Sequence, residues 1–145
     1  MTLAVERTIA RGVIIVAAAG NNGPGAPPAY PAAESGVVAV TAIDSDKKVF
    51  PDANQGPYVD FAAPGVRIWS PSADGAGQYH SGTSFAAPFV TALIAAAGQD
   101  PALAGAKAIA LALAKSVLDL GTPGRDPIYG WGLIQASSPC GGVNQ

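Results

Sequence analysis

The stretch HSGTSFAAPFVTALIAAA, residues 80–97, places a glycine, a threonine and a serine directly before a long apolar run. Residues 84–97 are apolar on every face of a helix, and a helix without a polar stripe is typically buried on all sides. Pro88 lies near the start of this run, where its missing N–H costs little. The stretch therefore predicts a buried helix that begins at Ser84.

The composition is that of one folded domain. The chain has 145 residues, of which 49% are hydrophobic and 12% charged, so it can bury a core and is not disordered. Its net charge is −2 without a basic cluster, which gives no reason to expect nucleic acid or an anionic membrane as partner. No apolar run reaches the ~18 residues of a transmembrane helix. A single cysteine, Cys140, excludes an internal disulfide.

Short apolar runs that alternate with helical segments define the fold class. Runs bounded by turn-forming residues predict buried strands, and a proline near the start of a later apolar segment predicts a second helix, with Lys107 and Lys115 facing water. Such alternation predicts an α/β fold with a mainly parallel sheet. The predicted strands are residues 13–17, 37–42 and 58–62, a further extended run begins at Val66, and the second helix is residues 101–120.

The N-terminus allows two interpretations. Arg7 and Arg11 precede the apolar segment GVIIVAAAG, as in a signal peptide. Glu6 lies in what would be the positive region, however, and the apolar core is at the short limit. The same residues fit a helix end, a stop at Gly12 and a buried strand, which is the interpretation we favour.

Ser84 has a structural and a chemical interpretation. A serine or threonine before a helix ordinarily caps it by accepting a backbone N–H, and Thr83 is an equal candidate for that role. A serine at the positive end of a buried helix is also placed to attack a carbonyl, because the helix N-terminus favours the negative charge that develops. Gly82 permits the close backbone approach that a nucleophile turn requires.

The segment AAAGNNG places Asn21 and Asn22 after the first buried strand, at the end where α/β sheets bind ligands. An asparagine amide there could donate a hydrogen bond to an oxyanion. The structural alternative is that Asn-Asn-Gly only forms a turn. Nucleotide binding is disfavoured, since GNNGPG is followed by APPAYP, which forbids the helix that a phosphate loop needs.

Six motifs occur in one order along the chain: AAAGNNGPG, AYPAA, VVAVTAID, DFAAPGV, HSGTSFAAP and DPIYGWGLI. In this order they resemble the subtilisin-like serine proteases (subtilases) from about residue 12 to residue 136. GTSxAAP together with an upstream AAGNxG is a specific combination. The sequence departs from the family at Phe85, usually methionine, and at Phe89, usually histidine, and both changes lie beyond the nucleophile.

The resemblance implies roles for individual residues. Ser84 would attack the scissile carbonyl of a peptide, and Asn21 would stabilise the oxyanion together with the Ser84 N–H. The fold implied is part of the family's three-layer structure, with a mainly parallel sheet and a central helix that starts at the serine. The substrate-binding residues implied are Ala18, Ala19, Gly20, Tyr30, Gly82 and Thr83.

The family's other two catalytic groups have no matching segment in this sequence. Subtilases place an Asp and a His before the serine, so residues 1–136 are predicted to be the C-terminal half of a catalytic domain and residues 137–145 a flexible tail. His80 is the one histidine. It has no acidic neighbour in sequence, although Asp60 or Asp74 could approach it in space, and the matching family position borders the leaving-group side of the cleft. We therefore do not expect His80 to be the base, and a Ser–Lys pair is less favoured still.

A calcium site is considered and disfavoured. Asp44 and Asp46 alternate as in a calcium loop, but the required glycine is absent and Gln55 stands where the closing acid should be. The segment is expected to be a solvated turn. Subtilases often bind calcium, yet no convincing ligands match here, so no cofactor or metal is predicted.

The sequence supports two alternative hypotheses for the function of this chain, which belong to different classes of protein. The first is one half of a serine endopeptidase, inactive alone, with a polypeptide substrate and either a missing N-terminal half or a second copy as partner. The second is a non-catalytic peptide-binding or assembly module derived from a subtilase. Full-length relatives are often secreted, but without a convincing signal peptide no compartment is assigned.

Overall fold

The computed structural model describes residues 1–73, 75–97 and 112–136. Its elements follow the alternation that the sequence predicts, and the α/β fold with a parallel sheet is confirmed. In chain order the elements are α1 (Thr2–Ile9), β1 (Val16–Ala18), β2 (Val38–Ile43), β3 (Val59–Pro64), β4 (Ile68–Pro71), β5 (Gly77–His80) and α2 (Thr83–Ala97).

Strands β1, β2 and β3 form a parallel sheet in that order. Val16 pairs with Val38, and Val40 pairs with Phe61 after a register shift between Ala39 and Val40. All six residues of β2 are buried, as expected for the central strand of a parallel sheet that is covered on both faces. β1 is only half-buried and lies at the edge of the sheet.

Helix α2 packs along the sheet through residues spaced four apart. Ala86, Val90 and Ile94 are buried and share a core cluster with Val40 and Phe61.

The opposite side of α2 is exposed, at Pro88, Phe89 and Ala92 among others, so the prediction of a helix buried on all sides is wrong for the described residues. An apolar composition shows that a face is suited to burial. It does not show that anything covers that face. An open apolar groove of about 640 Å³ runs beside this side, lined in part by Pro64, Phe89 and Leu133.

The first strand is shorter than predicted and begins later. The Val13 N–H donates to the Thr8 carbonyl, so this residue is bound to the last turn of α1 and not to the sheet. Pairing starts at Ile15, whose carbonyl accepts the Val38 N–H. The apolar run at residues 13–17 therefore contains both the segment that connects α1 to the sheet and the first residues of β1.

A two-stranded antiparallel hairpin, β4–β5, leads the chain into α2. Trp69 pairs directly with Tyr79, and their rings meet edge to face at 5.1 Å. The sequence predicted an extended run after Val66 but not β5. β5 is not recognisable in the sequence because it contains polar residues and glycine. A hairpin strand that is exposed on one face has no continuous apolar run.

The C-terminal part of the described chain closes onto β3. The Ala62 N–H donates to the Gly132 carbonyl, and the Ile134 N–H donates to the Ala62 carbonyl. Most of the predicted helix over residues 101–120, with Lys107, lies outside the described residues. Residues 112–113 are helical, but residues 114–120 form turns and a bridge, so the helix does not extend through them. Lys115 is exposed, as predicted.

The helices within the described ranges are too short to cross a membrane.

Candidate active site

The segments that contain Asn21 and Ser84 meet at the carboxyl end of the parallel sheet. β1 ends at Ala18 and leads through Gly20 into Asn21, while α2 begins at Thr83. The Gly82 N–H donates to the Gly65 carbonyl just after β3, at 2.8 Å. These connections bring two segments together that are more than 60 residues apart in sequence.

Thr83 fixes the orientation of the Asn21 amide. Asn21 Oδ1 accepts the Thr83 N–H at 2.9 Å and the Thr83 hydroxyl at 3.0 Å. The Gly20 N–H in turn donates to Thr83 Oγ1 at 3.2 Å. Because the oxygen of the amide is occupied twice, its Nδ2 group is left as the outward donor. The hydroxyl of Thr83 thus joins the two segments and does not bind the N–H groups of its own helix, as a capping residue would.

Gly82 leaves the space that the Asn21 amide needs. Its φ of 151° is one that residues with a side chain rarely adopt. A Cβ built at this position would lie 3.3 Å from Asn21 Nδ2. A larger residue would therefore make a tight contact with the amide nitrogen, and the backbone conformation favours glycine independently of that contact.

Ser84 differs from its neighbour in exposure and bonding. Thr83 is fully buried, whereas Ser84 is exposed in the first turn of α2. Within the described part of the chain the Ser84 hydroxyl makes no side-chain hydrogen bond of the kind that holds Thr83. This places an accessible hydroxyl at the positive end of an apolar helix, one residue after the threonine that binds the Asn21 amide.

His80 lies near the serine in sequence but has no carboxylate partner among the described residues. Its ring stacks on Phe85, with centroids 5.1 Å apart and an angle of 14° between planes. Asp60 does not face it: one Asp60 oxygen accepts the Ala39 N–H and the other pairs with Arg125 at 2.9 Å, at the amino end of the sheet. The suggested approach of Asp60 to His80 is therefore wrong, and Asp74 lies outside the described residues.

Burial raises the pKa of Asp60, against the smaller opposing effects of the Ala39 N–H and the Arg125 guanidinium. This carboxyl is thus partly desolvated in spite of its ion pair. It supports the start of β3 and takes no part in the region around Ser84.

The remaining residues that the resemblance named lie around the same two segments. Ala18 is half-buried and Ala19 fully buried, with the Ala19 carbonyl accepting the Tyr58 hydroxyl at 2.8 Å. Tyr30 is 61% exposed and precedes a cis peptide bond to Pro31. Their contacts with a substrate stay a prediction.

Asn54 was missed by the sequence analysis, although it lies directly behind Asn21. It is fully buried; its Oδ1 accepts the Asn22 N–H at 2.8 Å, and its Nδ2 donates to the Pro27 carbonyl at 3.1 Å. The surrounding segment, PDANQG, is typical of a surface loop. Nothing in its spacing distinguishes a buried organising asparagine from a turn former.

The predicted turn at Asp44 and Asp46 is present. Asp44 Oδ1 accepts the N–H groups of Asp46 and Lys48, both at 2.9 Å, which uses this carboxylate within its own turn. Across the described ranges, no group of three His, Cys, Asp or Glu side chains could hold a metal ion.

Comparison with known proteins identifies the class of the chain. The model of the subtilase family matches residues 1–132. The chain therefore belongs to the subtilase family, the class of protein that the serine, the asparagine and the parallel sheet together indicate.

Individual relatives agree with this assignment. The chain is 42% identical over 136 residues to the minor extracellular protease Epr of Bacillus subtilis (strain 168), covering 91% of this chain and 20% of the relative. Fervidolysin from Fervidobacterium pennivorans, a keratinolytic enzyme related to subtilisin, superposes with a TM-score of 0.83 at 30% identity, covering 94% of this chain and 23% of that structure. A lanthipeptide protease superposes with a TM-score of 0.76 at 25% identity, covering 93% and 52%. The chain thus spans a fifth to about half of the length of these relatives.

Proposed function

We propose that these residues form the C-terminal half of the catalytic domain of a serine endopeptidase. One observation supports this more than any other: the Asn21 amide is held by Thr83 with its Nδ2 group outward, beside the exposed Ser84 at the start of α2. A donor next to an accessible hydroxyl is the arrangement needed for acyl transfer.

In the proposed reaction, Ser84 Oγ attacks the carbonyl carbon of the scissile peptide and passes its proton to a base. The carbonyl oxygen becomes an oxyanion, which accepts hydrogen bonds from Asn21 Nδ2 and the Ser84 N–H. The intermediate then breaks the C–N bond, and the amine leaves with the proton from the base. Water attacks the resulting ester on Ser84, releasing the acid and restoring the hydroxyl.

The base and the carboxylate that orients it are proposed to come from polypeptide outside these 145 residues. The His80 ring is stacked on Phe85 and has no carboxylate partner among the described residues, while Asp60 is engaged with Arg125. Without a base, the oxyanion donors and substrate binding leave only a residual rate of about 10³–10⁴ over water in sites of this kind. The chain alone is therefore expected to show no more than trace activity.

The test joins the chain to a source of the missing groups. In the Epr chimera, this chain replaces the matching segment of the Bacillus subtilis relative, because subtilases provide their Asp and His from segments before the serine. Hydrolysis of a peptide ester is measured for the chimera, its Ser84→Ala variant and the isolated chain. The proposal expects hydrolysis from the unmodified chimera only. Steady hydrolysis by the isolated chain, abolished by Ser84→Ala, would overturn it and make His80 the base.

A second candidate, an assembly or peptide-binding module without catalysis, is favoured by the exposed apolar side of α2 at Pro88, Phe89 and Ala92. A chimera that folds, binds peptide and shows no hydrolysis would support this alternative.

A further inference from the structure

Asn54 occupies an unusual place for a polar side chain. It is fully buried, and three of its polar groups bind the loop that follows β1. Its backbone N–H donates to the Gly20 carbonyl at 3.0 Å, its Oδ1 accepts the Asn22 N–H, and its Nδ2 donates to the Pro27 carbonyl. The residues on both sides of Asn21 are therefore held by the same asparagine.

From this geometry we propose that Asn54 is a positioning residue for the oxyanion donor Asn21. The inference rests on the proposed function and extends it to a fully buried residue behind the site. Thr83 binds the side chain of Asn21, and Asn54 binds the backbone of the residues on either side of it, Gly20 and Asn22. The two sets of contacts come from different parts of the chain, one from α2 and the other from the segment before β3.

The packing around Gly20 shows how closely the two segments fit. A Cβ built on Gly20 would lie 2.7 Å from both Asn54 Cγ and Nδ2, so the loop backbone rests directly on the amide. A second bond supports the same loop, since the Gly23 N–H donates to the Asp52 carbonyl at 2.8 Å. Loss of the Asn54 amide would leave the Asn22 N–H and the Pro27 carbonyl without these partners and free the loop to shift.

The asparagine amide meets both requirements at this position. Its oxygen accepts from the Asn22 N–H and its NH2 group donates to the Pro27 carbonyl, whereas ionised aspartate has no hydrogen to donate, and leucine of similar shape offers neither group. Oxyanion stabilisation depends on a donor 2.7–3.1 Å from the developing charge, so even a small displacement of the Asn21 loop weakens it.

The experiment is a double-mutant cycle in the Epr chimera. Asn54→Leu is expected to lower kcat at least tenfold with KM nearly unchanged, and to lower it no further in an Asn21→Ala background. Val40→Ala, a fully buried core change, is the control for loss of stability alone and should leave the kcat of the folded protein unchanged. Amide hydrogen exchange at Asn22 measures how well the loop after β1 is held, independently of activity. This exchange should be faster in Asn54→Leu but not in Val40→Ala.

The outcomes separate this inference from the function on which it rests. Unchanged kcat in Asn21→Ala would overturn the oxyanion role itself. If the kcat losses of Asn21→Ala and Asn54→Leu are fully additive in the double variant, the positioning role alone is overturned. The same holds if Asn54→Leu lowers only the thermal stability. If Asn54→Leu does not fold, Asn54→Ser replaces it in the cycle, because the smaller polar side chain fits the same space and lacks the amide that binds Asn22 and Pro27.

Discussion

At the scale of single residues, the site depends on which atom of the Asn21 amide is already hydrogen-bonded. Asn21 could present either its oxygen or its nitrogen to a ligand. Because Thr83 donates two hydrogen bonds to the oxygen, the nitrogen is the atom that remains available. In the proposed site, these contacts give Thr83 an orienting role. If the Asn21 amide were turned the other way, it would present an acceptor to the substrate oxygen, and an acceptor destabilises an oxyanion.

Asn21→Ala in the Epr chimera is expected to lower kcat far more than it raises KM, because an oxyanion donor acts mainly in the transition state. In subtilisin itself, loss of this donor lowers turnover by about 10²–10³-fold, and we expect an effect of that size here. Steady-state kinetics on a peptide ester measure it. A rise in KM with unchanged kcat would make Asn21 a substrate-binding residue instead.

Asp60 provides a pH-dependent prediction. Burial raises its pKa, so the native state holds the proton more tightly than the unfolded chain. Its stabilising contribution is therefore full below the ordinary value of 3.8 and is lost as the pH rises through the raised native pKa. As the pH is lowered from 7 into the acid range, the Tm of the Epr chimera should increase relative to the Tm of its Asp60→Asn variant. A relative decrease would mean that the Arg125 pair dominates and lowers the pKa.

The nucleophile and donor candidates could be predicted from sequence because each sits in a short motif beside a strand or helix boundary. Asn54 could not, since its importance comes from a loop packing against another loop 32 residues away. The ion-pair partner of Asp60 could not be predicted for the same reason. Arg125 is 65 residues away in sequence, and only the fold brings the two side chains together.

At the scale of elements, periodicity predicted where strands and helices lie better than it predicted what covers them. β2 was predicted at nearly its observed position because its apolar run ends in turn formers on both sides. The outward side of α2 is equally apolar in sequence but exposed in the described structure. β5 was missed, since a hairpin strand with one open face lacks an apolar run.

The loop that closes on β3 depends on one buried carboxylate. Asp126 accepts the N–H groups of Thr122, Ile128 and Tyr129, at 3.0, 2.8 and 2.8 Å. Asp126→Ala should lower the free energy of unfolding by about 1–3 kcal/mol, because three partly buried hydrogen bonds lose their charged acceptor.

Urea unfolding of the Epr chimera measures this change. Asp126→Asn is the matched control, since its remaining oxygen can still accept from Ile128 and Tyr129, and its loss should be smaller. Equal losses in the two variants would show that the charge of Asp126, and not its acceptor geometry, stabilises the loop.

At the scale of the whole molecule, two surfaces lack cover in the described structure. β1 is the edge of the parallel sheet, and the outward side of α2 exposes Phe89 to 43% beside the apolar groove. Unpaired strand edges and apolar patches recruit other chains. We therefore expect the isolated chain to self-associate at micromolar concentration.

Light scattering tests this expectation. Phe89→Lys should reduce the mean particle size, whereas Ser45→Lys, which adds the same charge at an exposed turn, should not. A monodisperse monomer of the unmodified chain with a cooperative thermal transition would contradict the expectation and show that these residues close a core of their own.

The central claim is that Ser84 becomes a nucleophile only when the rest of a subtilase catalytic domain is present. Its most direct test is covalent labelling by a serine-reactive fluorophosphonate, with the labelled residue located by mass spectrometry. We expect stoichiometric label on Ser84 in the Epr chimera and none on the isolated chain or on Ser84→Ala. Label on Ser84 of the isolated chain, or a folded chimera that takes no label, would contradict the claim.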